Sequence, residues 1–426
     1  MRVIQYVLVM VLLLSCSINA LANASADNGA VSQNWQEITA EARGQTVYFH
    51  GWGGSAEANR YMRWAAAELF EEYGVRLRHV RVADIRESVS LLLNEQASQG
   101  EDYRSAVDLI WINGKNFHAL KEADLLTADL STQIPNSALL NPEHLYELDF
   151  GVPTQDLELP WGVAQFYLLL SEHAQESLLV DKQAQQGHAQ ISAAQLLAFA
   201  KANPGRVSYP KPPEFHGTTF LKQLLLTLNS PELMENSPEL MANSPELMRK
   251  SLEQEHIKVE HLYEEYNAER HAPILAALFS YLDQLHPLMW REGRAFPNSA
   301  AEQMRLFADG QLDIAVSFNP GALTSGIQRG TIPPITMPVN LGTTAITNSH
   351  YLAIPKHSKQ QAGALVALNF LLSEAAQRHK ANPDVWGDPA AIVLANAPVE
   401  LLFPAAQEPH VSWNAVLEQA WRERYE

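Results

Sequence analysis

The chain has 426 residues, of which 46% are hydrophobic and 18% charged, and its net charge is -18. That length exceeds what one ordinary core supports, so two lobes or domains are expected, and the apolar content excludes a disordered chain. An acidic chain with no basic run is a poor polyanion binder, which argues against nucleic acid; the charge serves solubility first, and attraction of a cationic solute is the sharper reading.

Residues 1–22 read as a targeting segment. Arg2 supplies the positive start, and Val3 to Leu14 is an apolar run interrupted only by Gln5, short for a bilayer span. Ala20-Leu21-Ala22 offers a small-residue cleavage site, and loss of Arg2 takes the charge from -18 to -19. A competing reading makes Leu13-Leu14-Ser15-Cys16 a lipoprotein box with Cys16 lipidated; Leu14 fits that box imperfectly, and soluble secretion to the periplasm is favoured. Cys16 is the only cysteine. A mature chain without it has no disulfide, no thiolate nucleophile and no Cys-ligated metal.

Residues 23–44 are polar and read as a flexible leader. Gln45 to His50 is a short strand, with Gly51-Trp52-Gly53-Gly54-Ser55 as the turn behind it. Tyr61, Trp64, Ala65, Leu69 and Phe70 fall near helical spacing, predicting a helix over 56–73 that Gly74 ends. A strand marked by Val75, Leu77, Val80 and Val82 comes next, then a helix over 84–100 and a strand over 107–112. Asn113-Gly114 then opens a helix through Leu120. Strands alternating with helices imply a parallel sheet with helical crossovers. After an irregular stretch over 125–156, Leu159-Pro160-Trp161-Gly162 leads into an apolar strand over 163–170. Helices are expected over 193–202 and from Gly217-Thr218-Thr219, where either threonine can cap, to Leu228. Residues 229–249 are three copies of N-S-P-E-L-M-x. A seven-residue repeat suggests a coiled coil, but a proline in every copy forbids a continuous helix, so the insert reads as a surface loop. Helices over 252–266 and 272–290 come next.

The chain is organised around the stretch 302–321, EQMRLFADGQLDIAVSFNPG. Met304, Leu306 and Phe307 give a helix its apolar side, and Gly310 supplies a left-handed stop. Leu312, Ile314 and Val316 make a short buried strand. Asn319 then caps a new helix with Pro320 in its first position. Helix, strand and polar loop thus end where ligands sit in open α/β sheets. Residues 333–341 read as extended, 349–355 as a strand, 359–380 as a helix, and roughly 411–425 as a C-terminal amphipathic helix.

The order of these pieces resembles one family. The helix, "GQLDIAVSFNPG", variable loop and strand, followed by Ser349 to Lys356 (SHYLAIPK) and Asn369 to Gln377 (NFLLSEAAQ), is similar to the solute-binding proteins of ABC importers. The resemblance is to the branch that takes up iron, polyamines and thiamine. It implies an α/β two-lobe periplasmic-binding-protein fold with crossed lobes, each a mixed, mostly parallel sheet flanked by helices. The layout it implies is a signal peptide over 1–22, a leader over 23–44, a first lobe over 45–160 plus 346–400, a second lobe over 161–345, and a C-terminal helix in 401–426 packed on a lobe. The lobes would close by a hinge with crossings near Gly162 and Gly342. The partners implied are a small solute, cationic or heterocyclic, and a membrane permease that receives it from a monomeric binder. The repeat departs from the family pattern.

Four loops are candidates for the solute site. His50-Gly51-Trp52-Gly53-Gly54-Ser55 also resembles the oxyanion loop of α/β-hydrolases, but that reading needs a G-x-S-x-G elbow, and Ser317 is flanked at 315 and 319 by Ala and Asn. Read for binding, the loop offers free amides at a helix start, although a tight turn alone would also need its glycines. The resemblance turns Asn113-Gly114-Lys115-Asn116 toward the cleft and sets Gly217-Thr218-Thr219 and Asn319-Pro320-Gly321 opposite. Trp52, Trp161, Tyr209, Phe318 and Tyr351 are aromatics that could stack on a flat or cationic solute, while Trp111 reads as core. The ligand-binding set is therefore Trp52, Gly53, Gly54, Ser55, Asn113, Gly114, Trp161, Thr218, Thr219, Asn319 and Tyr351, with no catalytic residue, metal or cofactor. Glu253, His256 and Glu260 share a helical face, but their spacing matches no zinc signature and reads as a solvated face. Enzymes of this fold that degrade thiamine use a cysteine, which the mature chain lacks.

Overall fold

The computed structural model describes residues 34–99, 104–142, 146–179, 189–229, 259–397 and 401–426. The targeting segment with Cys16, the repeat from position 230 onward, Glu253 and His256 lie outside the described residues.

The first described element is helix α1 over residues 34–42, where a loose leader was expected. Trp35 and Ile38 pack on the first core and Ala42 is fully buried in it. Three apolar residues spaced three and four apart dock this short helix despite its polar composition. Then come β1 (Thr46–Trp52), α2 (Ala56–Tyr73), β2 (Arg76–Val82), α3 (Arg86–Gln99), β3 (Leu109–Ile112) and α4 (Gly114–Glu122). Gly74 ends α2 at φ 71°, the left-handed stop anticipated for it. β1 pairs in parallel with β2 and β3, which the helical crossovers require.

β4 (Leu159–Gln165) belongs to this first sheet and β5 (Tyr167–Leu170) to a second, so the chain crosses at Phe166. Gly162, which the sequence pattern placed near the crossing, lies inside β4 opposite His350. The second lobe continues through α5 (Ala193–Ala202), α6 (Phe215–Leu228), α7 (Ala268–Leu285), α8 (Ala300–Ala308), β6 (Ile314–Ser317), α9 (Pro320–Gln328) and β7 (Met337–Leu341). Every residue of α6 from Gly217 to Leu228 is buried, and its buried polar side chains are hydrogen-bonded, Lys222 to Glu408 and Gln223 to the Leu341 carbonyl. Glu214 caps α6, accepting from the Gly217 amide, so Thr218 and Thr219 lie inside the first turn instead of capping it. Asn319 caps α9 as expected, with Pro320 at its first position.

Residues 342–344 carry the chain back to β8 (Ala345–Ala353), which pairs antiparallel with β3 and β4. The helix expected over 359–380 is split into α10 (Gln361–Leu371) and α11 (Glu374–Ala381), because Ser373 caps the second one. The first sheet is ordered Ala405–Ala406, β8, β3, β1, β2, with β4 also on β8; the second is Gln190–Ile191, β7, β5, β6. Both are mixed. In the second, β5 runs antiparallel to both β6 and β7, because it enters directly from the crossing without a helical connection. The chain ends in α12 (Ser412–Tyr425), whose Trp413, Leu417 and Trp421 recur every four residues and enter the second lobe's core.

The crossings run side by side. The Phe166 amide donates to the Ile346 carbonyl at 2.8 Å. Gln165, fully buried, donates to Thr347 Oγ1 and the Phe403 carbonyl and accepts from the amides of Leu402 and Phe403. Gln223 of α6 holds the other crossing in the same way, donating to the carbonyls of Leu341 and Thr344 and accepting from the Ile346 amide. Buried backbone groups at a strand break need such partners.

Candidate functional site

Because β2, β1 and β3 are neighbours, their C-terminal ends form one row of loops. Trp52 closes β1, and the Gly53 amide donates to the Val82 carbonyl at the end of β2. Ser55 caps α2, its Oγ accepting from the Ala58 amide at 3.1 Å and donating to Glu57 at 2.9 Å. Trp52 is 45% exposed, an unusual position for an indole in a turn. A side chain on Gly54 would overlap that ring, and one on Gly53 would meet Arg81 Cβ at 2.5 Å. The two glycines are thus required by packing within the turn itself. Asn113 occupies the N-cap of α4 with no side-chain cap bond, leaving its amide group free of that duty.

A second row belongs to the other lobe. Phe215 at the start of α6 packs edge-on against Phe318 at the end of β6, with ring centroids 5.0 Å apart. Asn319 is next, its side chain accepting from Gly321 and its carbonyl from the Tyr167 hydroxyl at 2.7 Å. Thr219 is fully buried and its hydroxyl returns to the Phe215 carbonyl. Phe215 is 39% exposed; the sequence pattern did not single it out, although a phenylalanine beside Gly217-Thr218-Thr219 on a polar first turn was a visible signal.

The two rows are tied together at both ends. Arg329, just past α9, reaches Glu57 at the start of α2 at 2.9 Å. At the other end Glu418 of α12 lies 3.7 Å from Lys115 of α4 and accepts from the Thr218 hydroxyl at 3.2 Å. The lobes also touch where Gly321 meets Gly387 so closely that a side chain at 321 would overlap the Gly387 carbonyl. Burial opposes ionisation of Glu57, but its own backbone, Ser55 and Arg329 outweigh it and hold the carboxyl below its usual range. Glu214 is likewise held low: burial opposes, and His216 with the Gly217 amide prevails.

Three expected aromatic contacts lie elsewhere. Trp161 is fully buried, its ring 5.1 Å from Trp111, 5.3 Å from Trp386 and 6.0 Å from Phe49. It is a core residue of the first lobe, placed there because β4 has both faces covered. Tyr351 is also buried, its hydroxyl donating to the Leu148 carbonyl at 3.3 Å. Tyr209 lies in the second core, bonded to His286 and Trp421. These side chains carry no exposed face for a ligand.

Comparison with known proteins identifies the family. Residues 64–397 match the family model described as bacterial extracellular solute-binding protein. Protein YnjB of Escherichia coli K12 is 36% identical over 405 residues, covering 92% of this chain and 94% of that protein. Among solved structures, an ABC transporter substrate-binding protein from Bradyrhizobium japonicum superposes with a TM-score of 0.56 at 14% identity, over 90% of this chain and 100% of its own. The periplasmic binding protein AfuA from Actinobacillus pleuropneumoniae, solved with exogenous fructose-6-phosphate, gives 0.56 at 12% identity, over 89% and 98%. The chain belongs to the bacterial extracellular solute-binding protein family.

Proposed function

We propose that the solute is held between the two rows of loops, with Trp52 on one side and Phe215 on the other, and that Asn113, Ser55, Thr218 and Asn319 supply polar contacts, the Gly114 amide being taken by the Asp149 carboxylate. The observation that carries this reading is the pair of bridges, Arg329 to Glu57 and Glu418 to Lys115 and Thr218, which set the two rows against each other. Exposed aromatic faces and a net charge of -18 favour a flat, cationic or heterocyclic solute. Binding energy goes into lobe closure and no bond is broken. The protein acts as a monomer in the periplasm after loss of residues 1–22, and the loaded form docks on the permease.

The test starts with mass spectrometry of whatever co-purifies, followed by thermal shift with that compound. Stabilisation should grow with ligand concentration over its dissociation constant. Trp52→Ala combined with Phe215→Ala should abolish the shift while leaving the unliganded melting temperature within a few degrees, since both rings are exposed. Trp161→Ala should instead lower the unliganded melting temperature steeply, by the cost of a core cavity of about 3–5 kcal/mol. An undiminished shift in the Trp52/Phe215 variant would remove the cleft from consideration.

A further inference from the structure

Anions are held at helix N-termini because the first backbone amides there lack partners within the helix and converge on a point outside it. The loops of the proposed cleft contain four such starts, those of α2, α4, α6 and α9. At each of them side chains of this protein already accept from the amides.

At α6 the Glu214 carboxylate accepts from the Gly217 amide at 3.1 Å and from the first amide of α8, that of Ala300, at 3.4 Å, with the His216 ring nitrogen also 3.1 Å away. There is no room beside Gly217 either, since a side chain there would overlap the Pro210 carbonyl. At α2 Ser55 accepts from the Ala58 amide, while Glu57 turns back on its own amide and accepts from the Ser55 hydroxyl. At α4 the Gly114 amide goes to the buried side chain of Asp149. At α9 the Asn319 side chain takes the Gly321 amide at 2.9 Å, and Gly387 of the other lobe lies against Gly321. Acidic side chains thus serve three of the starts and an asparagine the fourth.

The neighbouring cations are engaged as well. Arg329 pairs with Glu57, and Lys115 with Glu418. Arg81 at the end of β2 is exposed, where a guanidinium in water holds a single anion weakly. An incoming phosphate or carboxylate would have to displace Glu57 or Glu214 from its amides or lie beside an ionised carboxylate, and like charges in a partly buried site repel. A cationic or neutral solute meets neither cost. We propose, on the basis of the cleft assigned above, that Glu57 and Glu214 set its specificity as built-in anions, so that the captured solute carries no phosphate or carboxylate group.

Thermal shift of the full chain with potassium acetate and potassium phosphate, against potassium chloride at matched ionic strength, tests this. The parent should show no stabilisation by either anion beyond that of chloride. Glu214→Ala vacates the place between the Gly217 and Ala300 amides and the His216 ring. Acetate should fill it, giving a saturable rise in melting temperature that the parent lacks. Glu57→Ala leaves Arg329 unpaired beside the start of α2 and should gain the same kind of response to phosphate. If Glu214→Ala does not fold, Glu57→Ala carries the test. Saturable stabilisation of the parent by either anion would overturn the proposal, and a folded variant that gains no response would overturn the role of its glutamate. The co-purifying solute separates this proposal from the cleft itself. A solute bearing phosphate or carboxylate that is lost from the variant lacking the Trp52 and Phe215 rings would overturn the specificity and keep the cleft. A solute retained by that variant would remove the cleft, and with it the specificity assigned there, whatever the anion responses.

Discussion

The two crossings between the lobes do the same topological work with different backbones. At the first, β4 passes into β5 through Phe166 with no glycine from Gln165 to Tyr167. At the second, Gly342 adopts φ 99°, and a side chain there would meet Thr227 Oγ1 at 2.8 Å. Gly162 is a glycine for another reason. A side chain at 162 would overlap the His350 ring and the Asp388 carboxylate, which pair at 3.0 Å beside buried Lys380. One glycine lets the chain bend and the other lets a charged cluster approach a strand. The fixed points also differ: Gln165 ties its crossing to the C-terminal segment, whereas Gln223 ties the other crossing to a helix of the second lobe. Rotation between lobes should therefore be absorbed at Gly342, where the backbone is least constrained by the first sheet.

This comparison can be broken by mutation. Gly162→Ala should have the largest effect, about 3–5 kcal/mol by denaturant titration, because the buried ion pair must break or β4 must leave β8. It should not change the contraction on solute binding seen by small-angle scattering. Gln223→Leu leaves the Thr344 carbonyl and the Ile346 amide without their partner, while the Leu341 carbonyl keeps the Thr227 hydroxyl, and should cost roughly 2–4 kcal/mol. A loss below about 1 kcal/mol would mean that water replaces the side chain. Gly342→Ala should cost only about 1–3 kcal/mol for its positive φ, yet alter the extent of closure. Were closure unaffected, the hinge would have to be placed elsewhere.

The smallest effect at neutral pH concerns the charged cluster itself. Burial opposes ionisation of Asp388, but His350 and Lys380 outweigh it and hold the carboxyl below its usual range. A depressed carboxyl contributes stability that is present above its unfolded pKa, about 4, and lost as pH falls through the lower folded value. Replacing the pair together, Lys380→Met with Asp388→Leu, should leave stability at pH 7 within about 1–2 kcal/mol. It should also flatten the fall in stability below pH 4, and an equally steep fall would assign acid sensitivity to other groups.

Much of the molecule was legible locally. The helix–stop–strand–cap order over 302–321 appears as read, with Gly310 at φ 68° and Asn319 as the cap. The loops of the candidate site were legible too, because strand ends and helix starts are written in short polar and glycine signals. Trp52 and Trp161, however, looked alike in sequence. Both stand next to a glycine near a strand, and only the neighbours show one on the surface and the other among Phe49, Trp111 and Trp386.

The sequence by itself determined most of the element order, the Asn319 cap and the family, since these rest on contacts within a few residues of one another or on a linear order of motifs. The tertiary structure decided which strand crosses, which glycine bends and which aromatic stays exposed. Those properties depend on atoms far apart in the chain, such as Gln165 with Phe403 or Gly162 with Asp388, whose proximity no local pattern encodes.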